Sequence, residues 1–201
     1  MIPPLLRIAL ITAWLGLLPQ LALAQRLNAK VVEYCEAHVG KKVGDGQCSS
    51  LAYCALRAAG AKELNDFAND PGEGDYDWGK HVYTVTARNG NAVEEAVGRF
   101  KIRPGDVVQF RNTTFKGQEG GKAYTWEYGH HTAVVVKMNH RTGVLVILEQ
   151  NVNGKKVVQR GTLVLKDLRS GCLRVYRPVR KRKWADPSEN PSAAGRDAHD
   201  D

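Results

Sequence analysis

Apolar residues recur at helical spacing twice near the start of the chain. Leu27 to Val39 carries Val31, Val32, Cys35 and Val39 at that spacing, with Asn28 placed to cap it and Gly40 to close it. From Cys48, the residues Leu51, Ala52, Ala55, Leu56 and Ala59 mark one face of a second helix, and Gly60 supplies its C-cap. Lys41 to Gln47 is the loop between them. Beyond Gly79 the period changes. His81 to Thr86 alternates with β-branched residues and predicts a strand. Ala92 to Val97 reads as a short helix capped by Asn91. Pro104-Gly105 is a turn before a strand over Val107 to Phe110. Thr113 to Gly121 reads as a polar, glycine-rich loop. Ala123 to Tyr128 and the strongly apolar Thr132 to Met138 follow as strands. Asn139 to Gly143 turns the latter into Val144 to Leu148, a hairpin. Val157 to Leu165 and Leu173 to Tyr176 complete the set. Helices first and many short strands afterwards predict an α+β fold, with N-terminal helices packed on one side of an antiparallel sheet.

The two ends have a different pattern. Residues Met1 to Ala24 resemble a cleavable signal peptide: Arg7 gives the positive start, Ile8 to Leu18 the apolar run, and Ala22-Leu23-Ala24 a small-x-small site before Gln25. The run is too short and interrupted for a comfortable membrane span, although an uncleaved anchor is the alternative. The expected mature domain is residues 25–178, in a secreted or periplasmic protein. Residues 179–201 open with the basic run Arg180-Lys181-Arg182-Lys183 and continue polar, with Pro187 and Pro191. They are expected to form a disordered tail.

Composition narrows the functional classes. The 201 residues suit one domain with a real core, and the net charge of +8 admits nucleic acid, anionic membrane or an acidic polymer as partner. No nucleic-acid motif accompanies the charge, so nucleic acid is not expected as a partner. The tail offers weak binding to anionic surfaces. Glu63 to Gly79 is an acidic loop with Asp66, Asp70, Glu73, Asp75 and Asp77, but its spacing does not match a calcium-binding loop. No metal or other cofactor is expected, and the protein is expected to be a monomer. The four cysteines, Cys35, Cys48, Cys54 and Cys172, would permit two disulfides after export. A free Cys48 leaves one bridge and one thiol, and Cys35 with Cys54, on neighbouring helices, is an admissible pair.

Cys48 sits where a glycine-punctuated loop becomes a helix. Unpaired backbone N–H groups and the positive end of the helix dipole favour its thiolate. A nucleophilic cysteine also needs a base, and the base needs an orienting acceptor. Of six histidines, His130 and His131 open an apolar strand. They point to opposite faces, so only one can face Cys48. The next strand ends in Glu149-Gln150-Asn151. Alternation puts Glu149 and Asn151 on one face, either able to accept from an imidazole N–H, and turns Gln150 away. Trp78, Tyr83, Trp126 and Tyr128 could line a groove, although core packing is the simpler expectation.

Four segments occur in a telling order: Gly46-Gln47-Cys48, Arg103-Pro104-Gly105-Asp106-Val107-Val108-Gln109-Phe110, Gly129-His130-His131-Thr132-Ala133-Val134-Val135 and Glu149-Gln150-Asn151. Together they resemble the signatures of the CHAP family and its NlpC-type relatives, papain-like amidases and peptidases that act mostly on peptidoglycan. The resemblance spans Leu27 to Pro178. It implies a papain-like fold, Cys48 as nucleophile, His131 as base, and Glu149 and Asn151 as the residues that orient and polarise it. The family has one histidine after the glycine. His131 aligns better, and His130 stays as the alternative. Gln47, His130 and Trp126 are the expected substrate contacts. The implied activity is hydrolysis of an amide in peptidoglycan or another cell-wall peptide, through a thioester and with no cofactor. The rivals are a non-catalytic binding module with the same fold, and a secreted protein in which Cys48 is bridged.

Overall fold

The computed structural model describes residues 26–67 and 76–181. Helix α1 covers residues 26–37 and α2 covers Cys48–Ala59. A 3-10 turn follows at Leu64–Asp66. The strands are β1 (Lys80–Arg88), β2 (Asn91–Ala96), β3 (Val107–Glu119), β4 (Lys122–Asn139), β5 (Val144–Glu149), β6 (Gln159–Val164) and β7 (Leu168–Arg177). Among the described residues they form one antiparallel sheet in the order β2-β1-β7-β3-β4-β5-β6. This is the α+β arrangement of helices before an antiparallel sheet.

Alternation along the strands divides the core in two. On one face Val107, Val134, Leu148 and Tyr176 meet Leu51, Ala52, Ala55 and Leu56 of α2 and Val31 and Cys35 of α1. On the other, Val108, Phe110, Ala133, Val135 and Ile147 pack with Ile102, Leu163, Leu165 and Leu168. All five apolar residues expected on α2 are buried, and Gly60 ends the helix at φ +75°. Burial of Leu51 and Leu56 contributes about 1.5–3 kcal/mol each. That packing fixes α2 against β4, and with it the position of Cys48.

Four expectations are corrected. Residues 91–96 form strand β2, not a helix. Asn89 and Gly90, at φ +53° and +73°, make the two-residue hairpin turn that pairs Arg88 with Asn91. The polar run from Thr113 is strand, not loop. It pairs from Thr113↔Tyr128 to Glu119↔Lys122, and only Gly120 and Gly121 turn, at φ +56° and +78°. The two strands expected over residues 123–138 are therefore one, β4. Asn28 lies inside α1 rather than capping it. Its side-chain NH2 donates to Pro104 O (2.8 Å) and Asp106 Oδ1 (3.0 Å).

The Pro-Gly-Asp turn is a buried structural joint. A side chain at Gly105 would overlap the Asn28 backbone. Asp106 is fully buried and accepts from Arg177 Nε (3.1 Å), Arg177 Nη2 (2.9 Å) and the Arg103 N–H (2.8 Å). Residues 179–181, placed in the tail by composition, bond to residues 60–62. The expected signal peptide, the rest of the tail and residues 68–75 of the acidic loop lie outside the described residues. Within that loop, Asp66 is held by the Glu63 N–H (2.8 Å) and Lys181 (3.0 Å).

Candidate active site

Cys48 is the first residue of α2, half-buried beside Thr132 of β4. His131 is 7% exposed and Glu149 3%. The register sets Ala133 opposite Glu149, so His131 lies on the same face one diagonal step away. His131 Nε2–H donates to Glu149 Oε2 at 2.9 Å. The ring also hydrogen-bonds Cys48. With Nε2 on Glu149, Nδ1 is the nitrogen left for the sulfur.

The electrostatics follow from these contacts. Burial opposes ionisation of the Cys48 thiol. The hydrogen bond and positive charge of His131, with the Thr132 and Ser49 backbone N–H groups, outweigh it and hold the thiol below its ordinary value. Burial likewise disfavours the His131 imidazolium, but Cys48 and Glu149 override it and raise the ring to about 9. Both shifts favour the thiolate–imidazolium pair over the neutral thiol and imidazole.

The remaining expected residues divide. Asn151 does not reach the imidazole. It has left the strand at φ +62°, so alternation no longer governs it, and its Nδ2 donates to Gln47 Oε1 at 2.8 Å. Gln47 is exposed beside Cys48, with its N–H on Asp45 Oδ1 (2.9 Å). Asp45 also accepts from the Ser50 hydroxyl. His130 points outward, as opposite faces require, and its Nδ1 accepts from Arg111 Nη1 at 2.7 Å. Trp126 is 44% exposed and lines a cavity of about 400 Å³ with Tyr128, Glu149, Lys155 and Arg160. Trp78 is core, donating to Gln109 Oε1 (2.9 Å), and Tyr83 bonds Glu94 (2.7 Å).

Three residues complete the site that sequence reasoning did not assign to it. Gln150, expected to point away, is fully buried and turns into the loop before Cys48. Its Oε1 accepts the Val43 N–H (3.0 Å), and its Nε2 donates to Val43 O (2.9 Å) and Gln47 O (2.7 Å). One amide thus ties the end of β5 to the loop carrying Cys48. Tyr128 stacks on His131 with centroids 4.9 Å apart and points its hydroxyl at Glu149 Oε1 (3.4 Å). Gly161, across β6, leaves the space that the Glu149 carboxylate fills. A Glu-Gln-Asn run with three different environments gives no periodic signal for this. The only available sign was an amide beside a carboxylate at a strand end.

All four cysteines are free thiols. The Cys35–Cys54 pair is not bridged: Cys35 is buried in the apolar core, and Cys54 takes a hydrogen bond with the Tyr34 side chain. Cys48 is not bridged either. Among the described residues, no cluster of three or more His, Cys, Asp or Glu is placed to hold a metal ion.

The solved structures that resemble the chain include the crystal structure of Ly7917 and that of Ly7917 with the hydrolyzing product of MDP. They are 18% and 22% identical, with TM-scores of 0.41 and 0.42. The matches cover 75% of this chain and 62% and 63% of those chains. Among curated proteins, Altered inheritance of mitochondria protein 3 of Debaryomyces hansenii is 31% identical over 77% of this chain. SH3 domain-containing protein C23A1.17 of Schizosaccharomyces pombe is 33% identical over 78%. The matched regions span only 16% and 9% of those proteins. The family model of the AIM3/BBC1 cysteine proteinase-fold domain matches residues 20–189, most of the chain. The chain belongs to the AIM3/BBC1 cysteine proteinase-fold domain family.

Proposed function

We propose that this domain is a cysteine hydrolase of amide bonds, with Cys48 as nucleophile, His131 as general base and acid, and Glu149 as the group that orients the ring. The observation that carries the reading is the unbroken chain from Cys48 through His131 to a buried carboxylate. Chemistry follows from it in two halves. The Cys48 thiolate adds to the amide carbonyl carbon, and the carbonyl electrons move to oxygen. The Cys48 backbone N–H, an unpaired donor at a helix start, faces that developing charge. His131 then gives its proton to the amine nitrogen as the C–N bond breaks, leaving a thioester. Water, deprotonated by His131, adds to the thioester, and the thiolate departs with the acid product released.

Glu149 stabilises the imidazolium that stands before the leaving amine takes its proton and forms again when water is deprotonated, and Tyr128 keeps the ring face dry. Asn151 acts on Gln47 in this scheme rather than on the base. A narrower assignment, a CHAP-type amidase, is supported by the order of the Gly-Gln-Cys, histidine-strand and Glu-Gln-Asn segments, and its export rests on the basic, apolar and small-residue pattern of residues 1–24. We place the substrate amide in a polypeptide chain, because both curated relatives come from yeasts. The test offers the protein a peptide library and purified cell wall, each against Cys48→Ser. New amine termini in the library, absent with the variant, are the expected result. Soluble muropeptides released from cell wall would move the substrate to peptidoglycan. No release from either, or equal release by Cys48→Ser, would overturn the proposal.

A further inference from the structure

Three lysines that form no ion pair within 4.0 Å among the described residues flank the loop that carries Cys48. Lys42 stands in the loop that leads to Cys48, and Lys155 and Lys156 stand in the turn after Asn151. All three are exposed. The turn is shaped by Asn153 and Gly154 at φ +51° and +75° and pinned to the site by the Asn151 N–H on Lys155 O (2.9 Å) and the hydrogen bond from the Asn151 side-chain amide to Gln47 Oε1. Lys42 and Lys156 converge over Gly46, two residues before Cys48. A Cβ added there would lie 2.9 Å from Lys156 Cβ and 3.0 Å from Lys42 Cε. Gly46 sits at φ +88°, so the close approach and the backbone both require glycine. Lys155 continues the positive edge into the cavity walled by Trp126 and Glu149.

None of the ion pairs among the described residues uses these lysines. Asp45 is the one carboxylate in the loop before Cys48; the Ser50 hydroxyl and the Gln47 N–H hold it ionised, with a smaller contribution from Lys156. Its oxygen is already engaged by Gln47 N–H and Ser50. In the cavity beside Lys155, Glu119 and Glu149 are matched by Lys155 and Arg160, so the positive excess lies at Lys42 and Lys156, against Asp45 in the loop. Long ammonium side chains on a pinned turn act as a local field, strongest for a substrate group held over the loop.

We propose that Lys42, Lys155 and Lys156 form a cationic rim that selects substrates carrying a carboxylate beside the scissile amide, that is, acidic peptides. The proposal deepens the hydrolase reading and rests on it for the word substrate, but the field at Cys48 can be read separately. The probes are iodoacetate and iodoacetamide, alike in size and differing in charge, with alkylation followed at Cys48 by peptide mapping.

The expected result is that the iodoacetate-to-iodoacetamide rate ratio falls about threefold in Lys42→Gln/Lys156→Gln at low ionic strength. At 1 M salt, where screening reaches about 3 Å, the ratios of wild type and variant should converge. Lys137→Gln, exposed at the far end of β4, should leave the ratio unchanged. An unchanged ratio in the double variant at low salt would overturn the rim. The ratio is read whether Cys48 reacts fast or slowly. Failure of the catalytic reading shows as slow iodoacetamide reaction, and failure of this one as a ratio indifferent to the lysines.

Discussion

The Gln150 amide gives the sharpest structural prediction. It makes three hydrogen bonds to the loop before Cys48, two of them with the buried Val43 backbone. At about 1 kcal/mol each they contribute about 3 kcal/mol, and any Val43 group left buried and unpaired costs about 1–3 kcal/mol more. Gln150→Glu keeps the shape and leaves no cavity. A carboxylate still accepts from Val43 N–H but cannot donate to Val43 O or Gln47 O, and it meets both carbonyls with negative charge. Gln150→Glu should therefore lower the urea midpoint by the equivalent of about 2–4 kcal/mol. It should also slow alkylation of Cys48, because a loosened loop carries the sulfur away from His131. Gln150→Met, apolar and of similar length, should destabilise by less than Gln150→Glu. Urea titration and iodoacetamide kinetics on the three proteins decide the matter. If Gln150→Glu keeps both its urea midpoint and its Cys48 reactivity, the amide is not what joins the strand to the loop.

Other expectations follow from the same contacts. Gly161→Ala puts a methyl group where the Glu149 carboxylate sits, so kcat/KM on a cleaved peptide should fall about 10- to 100-fold with little change in circular dichroism. Arg177→Met leaves Asp106 buried without its cation and should cost about 3–5 kcal/mol in urea unfolding. Hydrolysis should rise with pH as Cys48 ionises below the usual thiol range. It should fall again through about 9, as His131 loses the proton that the leaving amine needs, and a pH–kcat profile will show both limbs.

Much of this site could be read from residue order because its anchors are periodic. The buried face of α2 repeats at helical spacing, so Cys48 is placed by Leu51, Ala52 and Ala55 packing on β4. His131 and Glu149 share a face because both lie within regular alternation on paired strands. Reading failed where local chemistry and tertiary pairing disagreed. Ala92 to Ala96 has the composition of a helix, but the Asn89-Gly90 turn commits it to β1. Thr113 to Glu119 lacks an apolar run and is held as strand by β4 across the hairpin. Asn151 and Gln150 exchanged roles because the chain leaves extended geometry at Asn151, where period-two arguments stop. Those two amides set the loop geometry, and their partners lie 103–107 residues away.

The most direct test of the account is the pH dependence of Cys48 alkylation by iodoacetamide in wild type and His131→Ala. Wild type should show an inflection below the ordinary thiol value of about 8.5, because the imidazolium and two backbone N–H groups outweigh burial. In His131→Ala burial is opposed only by the backbone groups, so the inflection should move upward and the rate at neutral pH should drop about tenfold or more. An unshifted inflection in the variant, or a wild-type inflection at or above the ordinary value, would contradict the Cys48–His131 pair on which the proposed chemistry stands.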